Sequence, residues 1–371
     1  MSYGRLRVVK RDNCSTGKKI LLYLAAVGIA LLLGSFLLMA LQVDPIKYYQ
    51  KMFTMGMIGN KIAYKTFANY IKSFVPLLLT SVALSLAFKM RFWNIGGEGQ
   101  FIMGALAAAT VAFQCGPTMP QLVTAVLMCV AAMLAAGIYG ALVAMLKVKF
   151  GTNETLLTLM LNYIALYLLY YLGETKGEWN FYLNPESDRP IFGSFANLVS
   201  FGGISFGKFT LSYTLLWALA ICILMHLYLK YTKHGYEIAV VGDSIGTASY
   251  AGMKVNRIVL RTVFLSAALI GLAGAFKVGN AGILSTSITD NVGWNGIIVA
   301  WLAKLNTGAI LLVSALISIL KTGSSIASST YSAIDSSFAD MLQGILLFSV
   351  LVADFCIRFR LVRERKEDDK A

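Results

Sequence analysis

The stretch Phe92-Trp93-Asn94-Ile95-Gly96-Gly97-Glu98-Gly99-Gln100-Phe101 sets an asparagine, a glutamate, a glutamine and three glycines between two strongly apolar runs, 66–90 and 101–116. Glycine weakens a helix and permits positive φ, while amide and carboxylate groups are expensive to leave in lipid. Such backbone is tolerated at membrane depth only where it lines a cavity or is buried in protein. Two readings compete: a bent element lining a path through a helical bundle, and a cytoplasmic turn whose Glu98 and Gln100 cap the next helix. The run that follows favours the first. Residues 101–116 give about 24 Å of helix against a hydrocarbon core of about 30 Å, so that helix is too short to start at the surface.

The rest of the chain supplies the bundle. It has 371 residues, 57% apolar and only 13% charged, with a mean hydropathy of +0.69, whereas a soluble domain carries about 25% charge. The apolar runs are long, unlike the alternating segments of about ten residues in an outer-membrane barrel. At about 20 residues per crossing there is room for about ten helices. They are predicted at 20–43, 66–90, 101–116, 121–146, 155–173, 209–230, 257–277, 293–303, 308–321 and 339–357. The fold class is an all-α polytopic membrane protein of about ten transmembrane helices, some short or discontinuous. A basic N-terminus (1–19), a transmembrane domain (20–357) and a tail (358–371) make up the chain.

The net charge of +14 fits basic residues holding cytoplasmic loops against an anionic leaflet better than it fits nucleic-acid binding. That distribution predicts both termini and the 231–256 loop inside, with the 174–208 loop outside as a contact surface or a plain solvated loop. The run 20–43 is too long for a signal-peptide core and reads as a retained first helix. Lys47, Lys51, Lys61, Lys65 and Lys72 fall outside in this topology. Residues 45–65, with Tyr48, Tyr49, Met52 and Phe53 among those lysines, are therefore read as an amphipathic segment on the outer interface. Cys14, Cys115, Cys129, Cys222 and Cys356 lack CxxC spacing and look like packed thiols. With only His226 and His234 present, no metal site is expected.

A weak internal repeat pairs Trp93-Asn94-Ile95-Gly96 with Trp294-Asn295-Gly296-Ile297. Short or glycine-interrupted segments at matching places in two pseudo-symmetric halves point to discontinuous helices around a path through the bilayer.

The motifs are also familiar. Trp93 to Gln100, followed by Met103-Gly104-Ala105, resembles the Phe-Asn-Ile-Gly-x-Glu-Gly-Gln signature of membrane permeases in ATP-binding cassette importers of the branched-chain amino acid and simple sugar class, particularly the nucleoside-importer branch. Gly151-Thr152-Asn153-Glu154 with Thr158-Leu159-Met160-Leu161-Asn162-Tyr163 is similar to a second motif of these permeases. Physically, Asn153 and Glu154 beside Lys149 suit a helix start. Asn162 lies inside an apolar helix, where lining a path and bonding another helix compete. Gly242-Asp243-Ser244-Ile245-Gly246-Thr247-Ala248-Ser249-Tyr250-Ala251-Gly252 resembles the family's coupling segment, with Ser244-Ile245 in place of Asn-Pro. Residues 293–308 are similar to a further family stretch, with Thr307 in the proline position.

This resemblance implies a permease subunit forming the translocation path for a nucleoside, with simple sugars as the alternative cargo. It implies a second permease subunit as a heterodimer, an ATPase subunit holding ATP and Mg, an extracytoplasmic substrate-binding protein and a bacterial cell membrane. Candidate path residues are Trp93, Asn94, Glu98, Gln100, Asn162, Trp294 and Asn295, with the indoles stacking on a base and the amides bonding ribose or base edges. Glu98 can instead fix the bent backbone. Candidate coupling residues are Gly242, Asp243, Gly246, Ala248, Tyr250, Gly252 and Met253; small residues let a short helix seat closely in a partner groove, with Tyr250 and Met253 as anchors. No GxxxxGK[ST], HExxH or GxSxG sequence occurs, so the chain is expected neither to hydrolyse ATP nor to act as an enzyme, and to bind no cofactor itself. The competing class is a stand-alone ion-coupled carrier with Glu98 or Asp290 as the ion site.

Overall fold

A computed structural model describes residues 6–10, 15–58, 63–195, 199, 201–207, 209–331, 334 and 337–363. Arg5, Arg11, Cys14, Lys61 and the tail beyond residue 363, assigned above from sequence, lie outside the described residues. In chain order the elements are β1 (Leu6–Lys10), α1 (Thr16–Ala40), α2 (Pro45–Phe53), α3 (Ala63–Lys89), α4 (Gly97–Cys115), α5 (Gln121–Phe150) and α6 (Glu154–Glu174). There follow β2 (Gly203–Phe206), β3 (Phe209–Ser212), α7 (Tyr213–Tyr231), α8 (Lys233–Asp243), α9 (Ile245–Tyr250), α10 (Val255–Ala281), α11 (Val292–Leu302), α12 (Thr307–Ser328), α13 (Ser337–Arg358) and β4 (Phe359–Arg363).

The chain divides into two compact units, Met1–Gly59 with Ile319–Ala371, and Asn60–Ser318. In the first, α1 packs on α13, and the Tyr23 hydroxyl donates to Asp354 Oδ1 at 2.8 Å. Strands β1 and β4 pair antiparallel, Leu6 opposite Arg363 and Lys10 opposite Phe359. Asp44 caps α2, accepting from Ile46 N and Lys47 N. The amphipathic segment expected on the outer interface is this helix, but its apolar face is not spent on lipid. Tyr48 and Met52 are fully buried, Tyr48 bonds Ser324, and its ring meets Phe338 edge-on at 5.4 Å.

In the second unit α10 is the central helix, packed on α3, α4 and α5. Burial separates the core from the periphery: 89% of the α3 span is buried against 22% of α7. The peripheral helices α5, α6 and α7 carry exposed apolar stripes such as Leu122, Val126 and Val130 on α5, the surface a helix offers to lipid. Left-handed glycines stop α5 at Gly151 and α10 at Gly282, where a residue without Cβ adopts the conformation at least cost. Asn153 caps α6 by accepting from Thr155 N and Leu156 N, as expected, while Glu154 pairs with Lys147.

Among the described residues eight helices are long and apolar enough to cross a membrane, where the sequence predicts about ten. The two others have physical reasons to fall short: α4 opens on the polar turn Gly97–Gln100, and α11 has 11 residues, about 16 Å.

Candidate functional site

The break between α3 and α4 is shorter than the sequence suggests. Residues Gly97–Gln100 are the first turn of α4, and Gly96, at φ −75, is its N-cap. None of Gly96, Gly97 and Gly99 has positive φ; Arg91 does, at φ 56. The non-helical backbone is confined to residues 90–96. These glycines serve close approach instead. A Cβ on Gly99 would lie 3.0 Å from Asn162 Cα, and one on Gly293 would lie 2.3 Å from Glu98 N.

A helix start leaves N–H groups without intrahelical partners, and Gly96 has no side chain to cap them. The caps come from other helices. Asn162 Oδ1, on α6, accepts from Gly99 N at 2.8 Å, and its Nδ2 donates to Ile95 O at 2.9 Å. Thr158 Oγ1, one turn earlier, accepts from Ile95 N at 3.2 Å. Glu98 Oε2 accepts from Gly293 N at 2.8 Å in the first turn of α11, whose N-cap Asn291 makes no side-chain cap. The carboxylate thus lies at the starts of two helices, where the partial positive charge of each favours an anion. Asn94 and Gln100 exchange amide bonds in both directions at 3.1 Å, and Asn94 Oδ1 also accepts from Gly96 N.

This hub is inside the bundle. Gln100 Nε2 lies 3.1 Å from the Cβ position of Gly140, which also abuts Ala267. Gly140 is about 15 Å from the Phe150 end of α5, and Asn162 about 12 Å from the Glu154 end of α6. Asn94, Glu98, Gln100, Asn162 and Asn295 are all buried. The structure brings the first four together with the start of α11. It does not bring Trp93 to Trp294. Trp93 stacks instead on Trp301, centroids 5.3 Å apart at 18°, and Phe88 joins them 5.5 Å from Trp301. Trp93, Trp294 and Trp301 are 48%, 41% and 40% exposed, so the indoles are partly open, whereas Asn94 and Gln100 are spent on one another and Asn162 on backbone groups. Trp301 was missed by sequence reasoning, although it follows Trp294 by seven residues and so shares its helix face.

The second cluster is the α8–α9 foot. Thr232 caps α8 through Gly235 N, and Ser244, at the position that departs from the family pattern, caps α9 through Thr247 N. Gly242 is buried, and a Cβ there would lie 2.0 Å from Lys89 O at the end of α3. Arg261 of α10 holds Glu237 of α8 at 2.9 Å. Gly242 and Ala248 are therefore covered by the chain itself and seat the foot rather than face outward. Asp243, Gly246, Tyr250 and Gly252 are exposed, with Met253 half-buried; Tyr250 is 97% exposed. Gly252 has φ +75 and open space around it, so its glycine serves the turn rather than a close contact.

On the 174–208 loop, Asn180 Nδ2 donates to Leu172 O and Thr175 O and the Tyr182 hydroxyl bonds Thr110 at 2.6 Å. That part of the loop is folded onto the bundle rather than freely solvated. His226 Nδ1 lies 2.5 Å from Thr307 Oγ1, a packed interhelical contact, and among the described residues no three His, Cys, Asp or Glu converge as metal ligands. The fold thus assembles a buried break capped from other helices, half-exposed indoles beside it and a partly exposed foot at the end of α3.

Residues 66–351 match the family described as branched-chain amino acid transport system / permease component. The chain belongs to this family. It is an ABC transporter permease subunit, a multi-pass membrane protein and not a catalytic ATPase; the family implies an ATPase partner. The permease is 26% identical over 310 residues to a nucleoside ABC transporter permease protein of Lactococcus lactis, covering 82% of this chain and 84% of that one. It is 28% identical over 305 residues to a guanosine ABC transporter permease protein of Bacillus subtilis, covering 80% and 84%. It is 27% identical over 351 residues to a glucose ABC transporter permease protein of Haloferax volcanii, covering 93% and 89%.

Proposed function

We propose that this permease forms the path by which an ATP-driven importer carries a nucleoside into a bacterial cell, across ten crossings with both termini cytoplasmic. It works with a second, non-identical permease, an ATPase subunit binding ATP and Mg, and an extracytoplasmic binding protein. The observation that carries the reading is the foot: α8, seated on the end of α3 by Gly242, leads into the six-residue α9, which presents Ile245 and Tyr250 uncovered. Movement imposed there reaches α3 through backbone contact, and α3 leads within seven residues to the hub. Transport then requires different contacts at the foot in the two states.

For the cargo, planar indole faces suit a nucleobase. In this reading Trp93, Trp294 and Trp301 meet the solute, Asn94, Gln100, Asn162 and Asn295 hold the shape of the wall and supply amide edges when the hub opens, and the Glu98 carboxylate holds the start of α11. Two relatives named for nucleoside or guanosine transport support that assignment, and one named for glucose favours a sugar as the second reading. The test is uptake in proteoliposomes holding the full assembly. ATP-dependent accumulation of a nucleoside, competed by other nucleosides and not by glucose or pentoses, is expected, with Tyr250→Ala losing ATPase co-purification while staying folded. Uptake driven by an ion gradient without an ATPase subunit would overturn the reading.

A further inference from the structure

Beside the foot lies a half-open pocket of about 450 Å³, walled by the start of α8, the 251–253 turn that follows α9, and the start of α10. It gathers four cations, Lys233, Lys254, Arg257 and Arg261, around a single carboxylate, Glu237. Glu237 is already held by Arg261 at 2.9 Å. Lys233, Lys254 and Arg257 are exposed and have no acidic partner among the described residues. The first turn of α10 borders the same space, and its N-cap Lys254 makes no side-chain cap. The partial positive charge of that helix start therefore adds to the charge of the side chains. Such a pocket is complementary to an anion.

Depth decides which anion can reach it. Ser266 Oγ of α10 donates to Ala83 O of α3 at 2.7 Å, which sets the two helices level at those residues. The apolar run of α3 stops at Lys89, about 9 Å past Ala83, whereas Lys254 stands about 18 Å past Ser266 in the same direction. Lys254 thus projects about 9 Å beyond the end of α3, and the headgroup layer outside the hydrocarbon core is only about 5–8 Å deep. The pocket mouth is past the depth of lipid phosphates, on the surface that carries Tyr250, the residue just before its wall. Whatever protein covers the foot meets these cations.

On the reading of the foot as the ATPase dock, we propose that the pocket receives an acidic side chain of the ATPase subunit, so that charge as well as shape selects which ATPase docks. In the experiment the full permease is co-expressed with its ATPase subunit and the complex is purified through the permease. Lys254→Glu combined with Arg257→Glu is expected to weaken ATPase retention at least about tenfold, while Arg257→Lys keeps it. Lys149→Glu, which reverses an exposed charge at the end of α5 outside the pocket, leaves retention unchanged. Wild-type retention falls as NaCl rises from about 0.1 M to about 1 M, where the Debye length shrinks from about 10 Å to about 3 Å. Reversing one Asp or Glu of the ATPase to Lys restores binding to the double variant, which separates docking from misfolding; failure of every such reversal overturns the proposal. Full retention by the double variant overturns it as well. If Tyr250→Ala still loses the ATPase in that case, the foot remains the dock and only the pocket is misassigned, whereas retention by both variants removes the dock itself. Equal loss from Lys149→Glu, the mark of general charge attraction, also overturns it. So does a double variant that keeps the ATPase but loses co-purifying phosphatidylglycerol, which would make the pocket a lipid site.

Discussion

Asn162→Leu tests whether the hub is a structural joint. The substitution keeps the side-chain size but removes the acceptor for Gly99 N at 2.8 Å and the donor to Ile95 O at 2.9 Å. Both partners are backbone groups, Ile95 in the break and Gly99 in the first turn of α4, and a buried group left unpaired costs about 1–3 kcal/mol. Side-chain hydrogen bonds in membrane proteins average only about 0.6 kcal/mol, because the unfolded chain in lipid still finds partners. Here the Gly99 N–H has no helical partner to fall back on, so we expect a loss of about 2–4 kcal/mol for the pair. Unfolding in mixed micelles, titrated with SDS and compared by midpoint at constant slope, measures it. Tyr167→Leu, exposed on the same helix, is the control. If Asn162→Leu unfolds with the control while uptake loses only substrate affinity, Asn162 is a solute contact and the joint is misassigned.

Glu98 separates importer from carrier. Glu98→Gln keeps an acceptor for Gly293 N and is expected to retain uptake, whereas Glu98→Ala, which leaves that N–H and the start of α11 uncapped, loses it; abolition by Glu98→Gln would point to an ion-coupling carboxylate instead. Glycines divide sharply by surroundings. Gly104→Ala drives a Cβ to 2.4 Å from Gly271 Cα, backbone against backbone, and is expected to cost about 1–3 kcal/mol and lower the yield of folded permease. Gly28→Ala meets nothing within 4 Å and is expected to be neutral or stabilising by up to about 1 kcal/mol, both read by the same titration.

Much of the bundle was legible because apolar runs report crossings directly: the start of α6 was fixed by Asn153, and the break by its polar residues. The internal geometry of the break was not. Gly-Gly-Glu-Gly reads as broken backbone, since local propensity cannot reveal that Asn162, more than sixty residues on, supplies the missing cap. Gly242 and Gly252 look alike in sequence, yet one is pressed on Lys89 O and the other holds a left-handed turn; only the fold distinguishes them. The segment around Tyr48 was recognised as amphipathic, but periodicity does not tell a face meant for lipid from one meant for Ser324 and Phe338.

The pairing of α1 with α13 joins two helices far apart in the chain. Chains emerge at about 5–20 residues per second, so the roughly 300 residues between Ala40 and Ser337 leave α1 waiting about 15–60 s for its mate. During that interval its partner within this unit is α2, whose Tyr49 hydroxyl donates to Leu31 O at 2.8 Å. Its composition suits the wait: α1 is the most apolar of the eight spans, and Ser35 bonds back to Leu31 O within its own helix at 2.8 Å. Tyr23 meets Asp354 only once α13 has emerged, a clasp fastened late.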